Sequence, residues 1–272
     1  MQKSITIDKK KIGNKAPCYI VAELSANHNG KIAIMKKLIR DAKKAGANAV
    51  KIQAYQADTI TLNSTLKDFK IVKKNQWSKY KNLYSLYKKG ETPFRWYKEL
   101  FKYCKKYKIT IFASVFDKKS IDILEKLNCP AYKIASPEIT DIPLIEYAAK
   151  TNKPIILSNG LANYNDLLLA YNCIKRKKNN KIIILKCTSS YPAKKNNLNL
   201  RTMGDIKKKF KVNSGFSDHT IGIDSAIYAA SIGADMIEKH ITLDQKIKTI
   251  DSFFSLKIKK FKLMIDKIRE NE

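Results

Sequence analysis

At 272 residues, 44% of them apolar, the chain is long enough for one sizeable core, and it holds no run of about 18 apolar residues that could span a membrane. Its five cysteines (Cys18, Cys104, Cys129, Cys173, Cys187) are scattered and never form a C-x-x-C arrangement, which excludes a disulfide framework and a zinc knuckle and reads as reduced core filler. The net charge of +30 suggests nucleic acid, but 49 of the 54 basic residues are Lys, which serves poorly for planar bidentate recognition, so the charge reads as solvated helix faces whose field favours an anionic substrate and nucleic acid is not an expected partner.

The first residues are polar and alternating rather than a charged start followed by an apolar stretch, so a cytoplasmic protein is expected. Residues 1–17 predict a hairpin closing one end of the fold, because Ile5, Ile7 and Ile12 flank a polar turn at 8–11. A strand at 19–24, a helix at 32–45 and a strand at 49–54 follow. The connection 56–92 is far longer than the usual handful of residues and carries Trp77, Tyr80, Tyr84 and Tyr87, so it predicts a functional excursion over the active-site end. Then come a helix at 93–107, strand 110–115, helix 118–127, strand 131–135, helix 142–150, strand 154–159, helix 163–177, strand 181–187, helix 201–210, strand 212–217, helix 223–232, strand 236–241 and helix 257–269. Eight strands in strict alternation with eight helices predict an α/β fold, a single-domain (β/α)₈ TIM barrel over 18–272, rather than an open doubly wound sheet.

Polar residues collect at the carboxyl ends of these strands, where barrels of this kind build active sites. Glu23 ends the first, Lys51 and Gln53 lie on the second, Ser114 ends the third, and Lys133, Ser136 and Glu138 follow on the fourth. Ser158 ends the fifth, Cys187-Thr188-Ser189-Ser190-Tyr191-Pro192 the sixth, Ser217-Asp218-His219 the seventh and Glu238-Lys239-His240 the eighth. Charges set in apolar strands are costly to bury alone, so Lys51, Lys133, Glu23 and Glu238 need one another or a ligand. His219 and His240 end neighbouring strands, and two neutral imidazoles there can share one divalent metal with open positions left for water and substrate. His28 reads equally as a turn anchor and as a substrate contact. Lys51 and Lys133 ringed by serine hydroxyls suit a small anion carrying phosphate and carboxylate, although Lys133 alone also reads as a Schiff-base lysine and the serines alone as helix caps.

At these residues the sequence resembles the sialic acid synthase family, from about Pro17 to the end. The pieces are Ala22-Glu23-Leu24-Ser25-Ala26-Asn27-His28-Asn29-Gly30, Val50-Lys51-Ile52-Gln53, Tyr132-Lys133-Ile134-Ala135-Ser136, the Cys187–Pro192 run, Gly215-Phe216-Ser217-Asp218-His219-Thr220 and Glu238-Lys239-His240-Ile241-Thr242-Leu243-Asp244. Asn82-Leu83-Tyr84-Ser85-Leu86-Tyr87, Thr92-Pro93-Phe94-Arg95-Trp96 and Asp251-Ser252-Phe253-Phe254-Ser255-Leu256 are most similar to the branch that makes pseudaminic acid, with N-acetylneuraminate and legionaminate synthases as the close alternatives and a degenerate barrel serving binding or assembly as another.

The resemblance implies condensation of phosphoenolpyruvate with the open-chain aldehyde of an N-acyl amino sugar, with release of phosphate. It assigns phosphoenolpyruvate to Lys51, Ser114, Lys133, Ser136, Ser158, Ser189 and Ser217, and the metal to His219 and His240, with Mn²⁺ expected and Mg²⁺ or Co²⁺ as alternatives. Glu23 would act as general base on water with Glu238 beside it, and Gln53, Glu138, Tyr191 and Asp251 would face the sugar. It also implies a homodimer and a C-terminal antifreeze-like domain; this sequence stops near the end of the barrel, so either such a domain comes from a separate protein, or the sugar is held without it, or activity is weak. Departures from the family pattern are Lys186 in place of His, Asn159-Gly160-Leu161 for Thr-Gly-Met, Thr249-Ile250 for Gly-Pro, and Val115 for Pro.

Overall fold

The β-branched runs of the sequence require burial on both faces, and a closed parallel sheet wrapped in helices supplies it. A computed structural model describes residues 4–71 and 76–272; Met1 to Lys3 of the expected hairpin and residues 72–75 of the long connection lie outside the described residues. Strands β1 (Ile5–Ile7) and β2 (Lys10–Ile12) form the predicted antiparallel hairpin, with Ile5 opposite Ile12. Ile7 and Ile12 are fully buried, and Thr110 donates to Asp8 at 2.9 Å, which places the hairpin under the amino ends of the barrel strands.

The barrel runs β3 (Tyr19–Glu23), α1 (Ile32–Lys44), β4 (Ala49–Ala54), α2 (Ala57–Ile60), α3 (Leu83–Gly90), α4 (Phe94–Lys106), β5 (Thr110–Val115), α5 (Lys118–Glu125), β6 (Tyr132–Ile134), α6 (Ile142–Lys150), β7 (Ile155–Ser158), α7 (Tyr164–Arg176), β8 (Ile182–Cys187), α8 (Thr202–Phe210), β9 (Asn213–Asp218), α9 (Asp224–Ser231), β10 (Met236–Thr242), β11 (Leu256–Lys257) and α10 (Ile258–Glu270). Strands β3 to β10 pair in parallel in chain order, and β10 pairs with both β9 and β3, so the sheet closes on itself. This is the predicted (β/α)₈ barrel. Boundaries differ from the sequence reading by one or two residues, as frayed ends do, and the short β11 adds an edge beside β10 that the sequence reading lacks.

Period-two alternation decides which polar residues meet. On β10, Glu238 reaches Lys133 of β6, and strands so far apart in the ring can touch only through the barrel interior. Lys239, one residue on, points outward to Asp218 at 2.7 Å, a buried ion pair also tied to the Thr220 carbonyl at 2.6 Å. At Gly215, β9 and β10 approach too closely for a side chain, since a Cβ there would lie 2.1 Å from the Met236 carbonyl oxygen. At the other end of the chain, Arg269 of α10 donates to the Cys18 carbonyl at 2.8 Å, locking the last helix to the start of β3. Among the described residues no helix is long and apolar enough to cross a membrane.

Candidate active site

Four ionisable side chains occupy the barrel interior at its carboxyl end. Glu23, Lys51, Lys133 and Glu238 are each at most 3% exposed. Lys51 Nζ lies 2.5 Å from Glu23 and 3.5 Å from Glu238, and Lys133 pairs directly with Glu238. Ser114 accepts from Lys51 at 2.7 Å, and Ser217 donates to Glu238 at 3.1 Å. Two cations and two anions balance, which is how four charges survive in a dry interior. Their proton affinities nevertheless diverge. Burial raises the Glu23 carboxyl above its ordinary range despite Lys51 beside it, whereas at Glu238 burial is outweighed by Lys133 and Lys51, which hold its carboxyl low. Burial also lowers the Lys133 ammonium, while at Lys51 the attraction of Glu23 and Glu238 exceeds the burial cost.

Above this floor opens a cavity of about 410 Å³. Lys51, Gln53, Ser114, Lys133, Ser136, Ser158, Tyr191, Ser217, His219, Glu238, His240 and Asp251 all line it, so twelve of the fifteen residues singled out from the sequence converge. Three do not reach the wall. Glu23 sits behind Lys51, and Ser189 and Glu138 lie just outside, half-buried, with Ser189 Oγ and Glu138 Oε2 lacking a hydrogen-bond partner among the described residues. Ser158 Oγ is likewise unpartnered, and Ser136 Oγ accepts the Leu161 backbone N–H at 2.8 Å. Gly160 lets these groups crowd together, because a Cβ there would meet Ser189 Oγ at 2.4 Å and Ser136 Oγ at 2.8 Å.

The two histidines end adjacent strands with ring centroids 5.4 Å apart. His219 Nδ1 faces the Thr188 carbonyl at 3.1 Å and donates to it, which makes Nε2 the basic nitrogen of the neutral ring; despite burial, the neighbouring Cys187 raises the ring's proton affinity. His240 Nδ1 is buried with no hydrogen-bond partner among the described residues, 4.0 Å from the Asp251 carboxylate, and burial followed by the neighbouring His219 holds this ring well below the usual imidazole range. Asp251 itself is held by the Ser25 hydroxyl.

The family model described as the NeuB family matches residues 38–272. The chain is 45% identical to pseudaminic acid synthase of Helicobacter pylori over 94% of this chain and 74% of that protein, and 43% identical to pseudaminic acid synthase of Campylobacter jejuni over 93% and 74%. The chain belongs to the NeuB family. Its barrel superposes on the crystal structure of N-acetylneuraminic acid (sialic acid) synthetase from Leptospira borgpetersenii in complex with citrate with a TM-score of 0.90 at 31% identity, covering 100% of this chain and 89% of that one. This NeuB-family chain is therefore an enzyme, a synthase of the sialic acid type, as the strand-end motifs implied.

Several lining residues of this NeuB barrel escaped the sequence reading. Tyr55 and Phe116 follow β4 and β5 and pack edge to face, 5.4 Å apart; Leu83 and Leu86 come from α3 in the long connection; and Cys187, read as core filler, lines the cavity 3.8 Å from His219 Nδ1. Aromatic residues immediately after strand ends were the available signal. Trp77 of the connection donates to the Ile250 carbonyl at 2.9 Å and, with Tyr87, lines the cavity, so the connection does cover the active-site end.

Glu138 offers a pH test. Burial pushes its carboxyl from the ordinary 4.5 up to about 7. Between these values the unfolded chain has released the proton and the folded chain still holds it, so stability due to this group is full at lower pH and is lost as pH rises through the window, by up to about 1.4 kcal/mol per pH unit. Glu138→Gln is expected to flatten that decline. Urea midpoints of both proteins from pH 4 to 8 check it, and parallel curves would show that Glu138 titrates normally.

Proposed function

We propose that this NeuB-family enzyme condenses phosphoenolpyruvate with 2,4-diacetamido-2,4,6-trideoxy-altropyranose and water, giving pseudaminic acid and phosphate. The observation that carries the reading is the pair of buried ammoniums, Lys51 and Lys133, ringed by serine hydroxyls at the floor of a cavity whose opposite wall is apolar. A barrel that had lost its chemistry would gain by replacing such costly buried charges with apolar packing, so their retention favours catalysis over a binding role.

Phosphoenolpyruvate places its carboxylate and phosphate against the two ammoniums, and serine hydroxyls complete the hydrogen bonds of the phosphate oxygens. The Ser158 hydroxyl, unpartnered among the described residues, lines the cavity and is free to donate there. Gln53, Tyr191 and Asp251, which line the cavity, face the acceptor sugar. The enol carbon C3 forms the new bond to the aldehyde carbon, whose oxygen takes up a proton. Water adds at C2, losing one proton to Glu23, which balances the one that the aldehyde oxygen takes up, and the C2–O bond then breaks with its electron pair leaving on phosphate, which takes the remaining hydroxyl proton as the C2 ketone forms. Glu23 suits the role of base because burial raises its proton affinity, while Glu238 stays ionised and holds both lysines in place. The anionic ligand draws Lys51 toward the cavity and so uncovers Glu23 for water. No covalent enzyme intermediate is needed, which leaves Lys133 an anion binder rather than a Schiff-base lysine.

The residues also fit a divalent metal. The orphaned His240 Nδ1 and the free Nε2 of His219 are the donors that would hold Mn²⁺, with Mg²⁺ or Co²⁺ as alternatives, and among the described residues no set of three His, Cys, Asp or Glu side chains forms a closed metal site. Such an ion, when bound, would supply Lewis-acid polarisation of the acceptor aldehyde.

End-point reactions of the purified chain with phosphoenolpyruvate and a panel of N-acyl sugars, with each product identified by mass, test the proposal. The expected product is the nine-carbon diacetamido acid. A product only from N-acetylmannosamine would instead favour N-acetylneuraminate synthesis, in keeping with the Leptospira barrel, and no phosphate release with any sugar would overturn both.

A further inference from the structure

His28 is the one histidine of the chain that the proposed chemistry leaves unused. It is fully buried in the turn after β3. Its Nδ1 accepts the Gly30 backbone N–H at 3.0 Å, so the ring proton sits on Nε2, which donates to the Gly90 carbonyl at 3.3 Å. Burial keeps the ring neutral by pushing it down to about 4, and its edge packs on Trp96 of α4 with centroids 5.3 Å apart.

Gly90 is the last residue of α3, where helix carbonyls lack intrahelical donors. The imidazole N–H supplies one. A Cβ on Gly90 would lie 2.8 Å from Tyr55 Oη, 3.0 Å from Ile250 Cδ1 and 3.3 Å from Ala26 Cβ, so the helix backbone seats directly on three residues that line the cavity. From this seat α3 presents Leu83, Leu86 and Tyr87 as the apolar wall. The amino end of the same helix is tied to its own connection, through Asn82 donating to the Ser64 carbonyl at 2.9 Å. Docking on the barrel therefore depends on the carboxyl end. The floor is different in kind, since Lys51, Lys133, Ser217 and Glu238 stand on strands fixed by the barrel ladder.

We propose that His28 is a positioning residue for the acceptor sugar: by holding the end of α3 through Gly90 it sets the apolar wall against which the acyl and methyl groups of the acceptor pack. The inference rests on the acceptor reading of the cavity given above. It assigns this turn histidine no contact with phosphoenolpyruvate.

His28→Asn attacks the docking from the barrel side and Gly90→Ala from the helix side, and His28→Gln restores a donor able to reach the carbonyl. Steady-state kinetics with both substrates and amide hydrogen exchange of the three variants test the idea. In His28→Asn and Gly90→Ala the acceptor KM is expected to rise about tenfold, with kcat and the phosphoenolpyruvate KM within about twofold of the parent, because wall misplacement weakens only the group it orients. Exchange is expected to quicken in residues 83–91 and not in the barrel strands, and His28→Gln to recover most of both effects. An unchanged acceptor KM, an equal rise in both KM values, or exchange that quickens throughout the barrel would overturn the proposal. Failure of the unmodified enzyme to turn over any N-acyl sugar would sink the reaction reading and the acceptor half of this inference, and the exchange result would then decide by itself whether His28 holds α3.

Discussion

Replacing Lys133 by methionine is expected to lower stability by about 3–5 kcal/mol and to weaken phosphoenolpyruvate binding about 100-fold or more. The side chains are of similar length, so the change is in charge rather than volume. In the parent, Glu238 has Lys133 as its direct partner, with Lys51 at 3.5 Å and Ser217 at 3.1 Å. Without Lys133 the interior holds two carboxylates and one ammonium, and Glu238 is left buried with one hydroxyl and with Lys51 at 3.5 Å, a cation it shares with Glu23 at 2.5 Å. An uncompensated buried charge costs far more than the net worth of the pair it came from. The double variant Lys133→Met/Glu238→Gln separates the two consequences. It removes the stranded charge, so a large part of the stability should return; the cation that grips the ligand is still missing, so binding should not. Urea unfolding and calorimetric titration of phosphoenolpyruvate on the parent, the single variants and the double variant give both readings. A Lys133→Met protein with the parent's midpoint would mean that the four charges do not compensate one another as the geometry requires, and one with the parent's affinity would remove Lys133 from the ligand site.

The floor was legible in the sequence because its physical cause is local. A lysine or glutamate inside a β-branched run cannot be bought cheaply by solvent, so Lys51, Lys133 and Glu238 announce a shared interior, and period-two alternation separates Glu238 and His240 from the outward Lys239. The eight strands were legible for the same reason, their apolar runs being bounded by polar ends. The wall was less legible. The connection 56–92 reads in sequence as one long excursion, without the helix that Leu83, Leu86, Tyr87 and Gly90 form behind the capping box of Asn82 and Ser85, and where α3 docks is set by Gly90 meeting Tyr55 and Ile250 far along the chain. His28 shows the same limit. Its two readings in sequence, turn anchor or substrate contact, are separated only by finding the Gly90 carbonyl at its Nε2, a partner 62 residues away. Glu23 marks a third case: the strand end predicts its burial, but only the packed barrel shows Lys51 standing between it and the cavity.

The metal reading makes its own sharp prediction, because the two histidines are supported differently. His240 Nδ1 is buried with no hydrogen-bond partner among the described residues, a state that costs about 1–3 kcal/mol in the metal-free protein. His240→Leu, close in volume and without a polar atom, is therefore expected to leave the metal-free fold as stable as the parent or more so. His219 donates to the Thr188 carbonyl at 3.1 Å, so His219→Leu removes one of that oxygen's two hydrogen bonds, the Ser190 N–H remaining at 2.8 Å, and should destabilise by about 1 kcal/mol. Added Mn²⁺ at about 100 times its dissociation constant should raise the parent's stability by about 2.7 kcal/mol through mass action, and should raise neither variant measurably. Turnover follows the same division: chelation of the parent, or either substitution with Mn²⁺ present, is expected to lower kcat/KM about 10³-fold or more, since Lewis-acid activation of a carbonyl supplies several kcal/mol. Thermal unfolding with and without Mn²⁺, run beside the phosphate-release assay, checks every arm. Equal stabilisation of parent and His240→Leu by the ion would place the metal elsewhere, and a parent whose midpoint and turnover ignore chelation would leave the orphaned nitrogen of His240 to be explained by some other ligand.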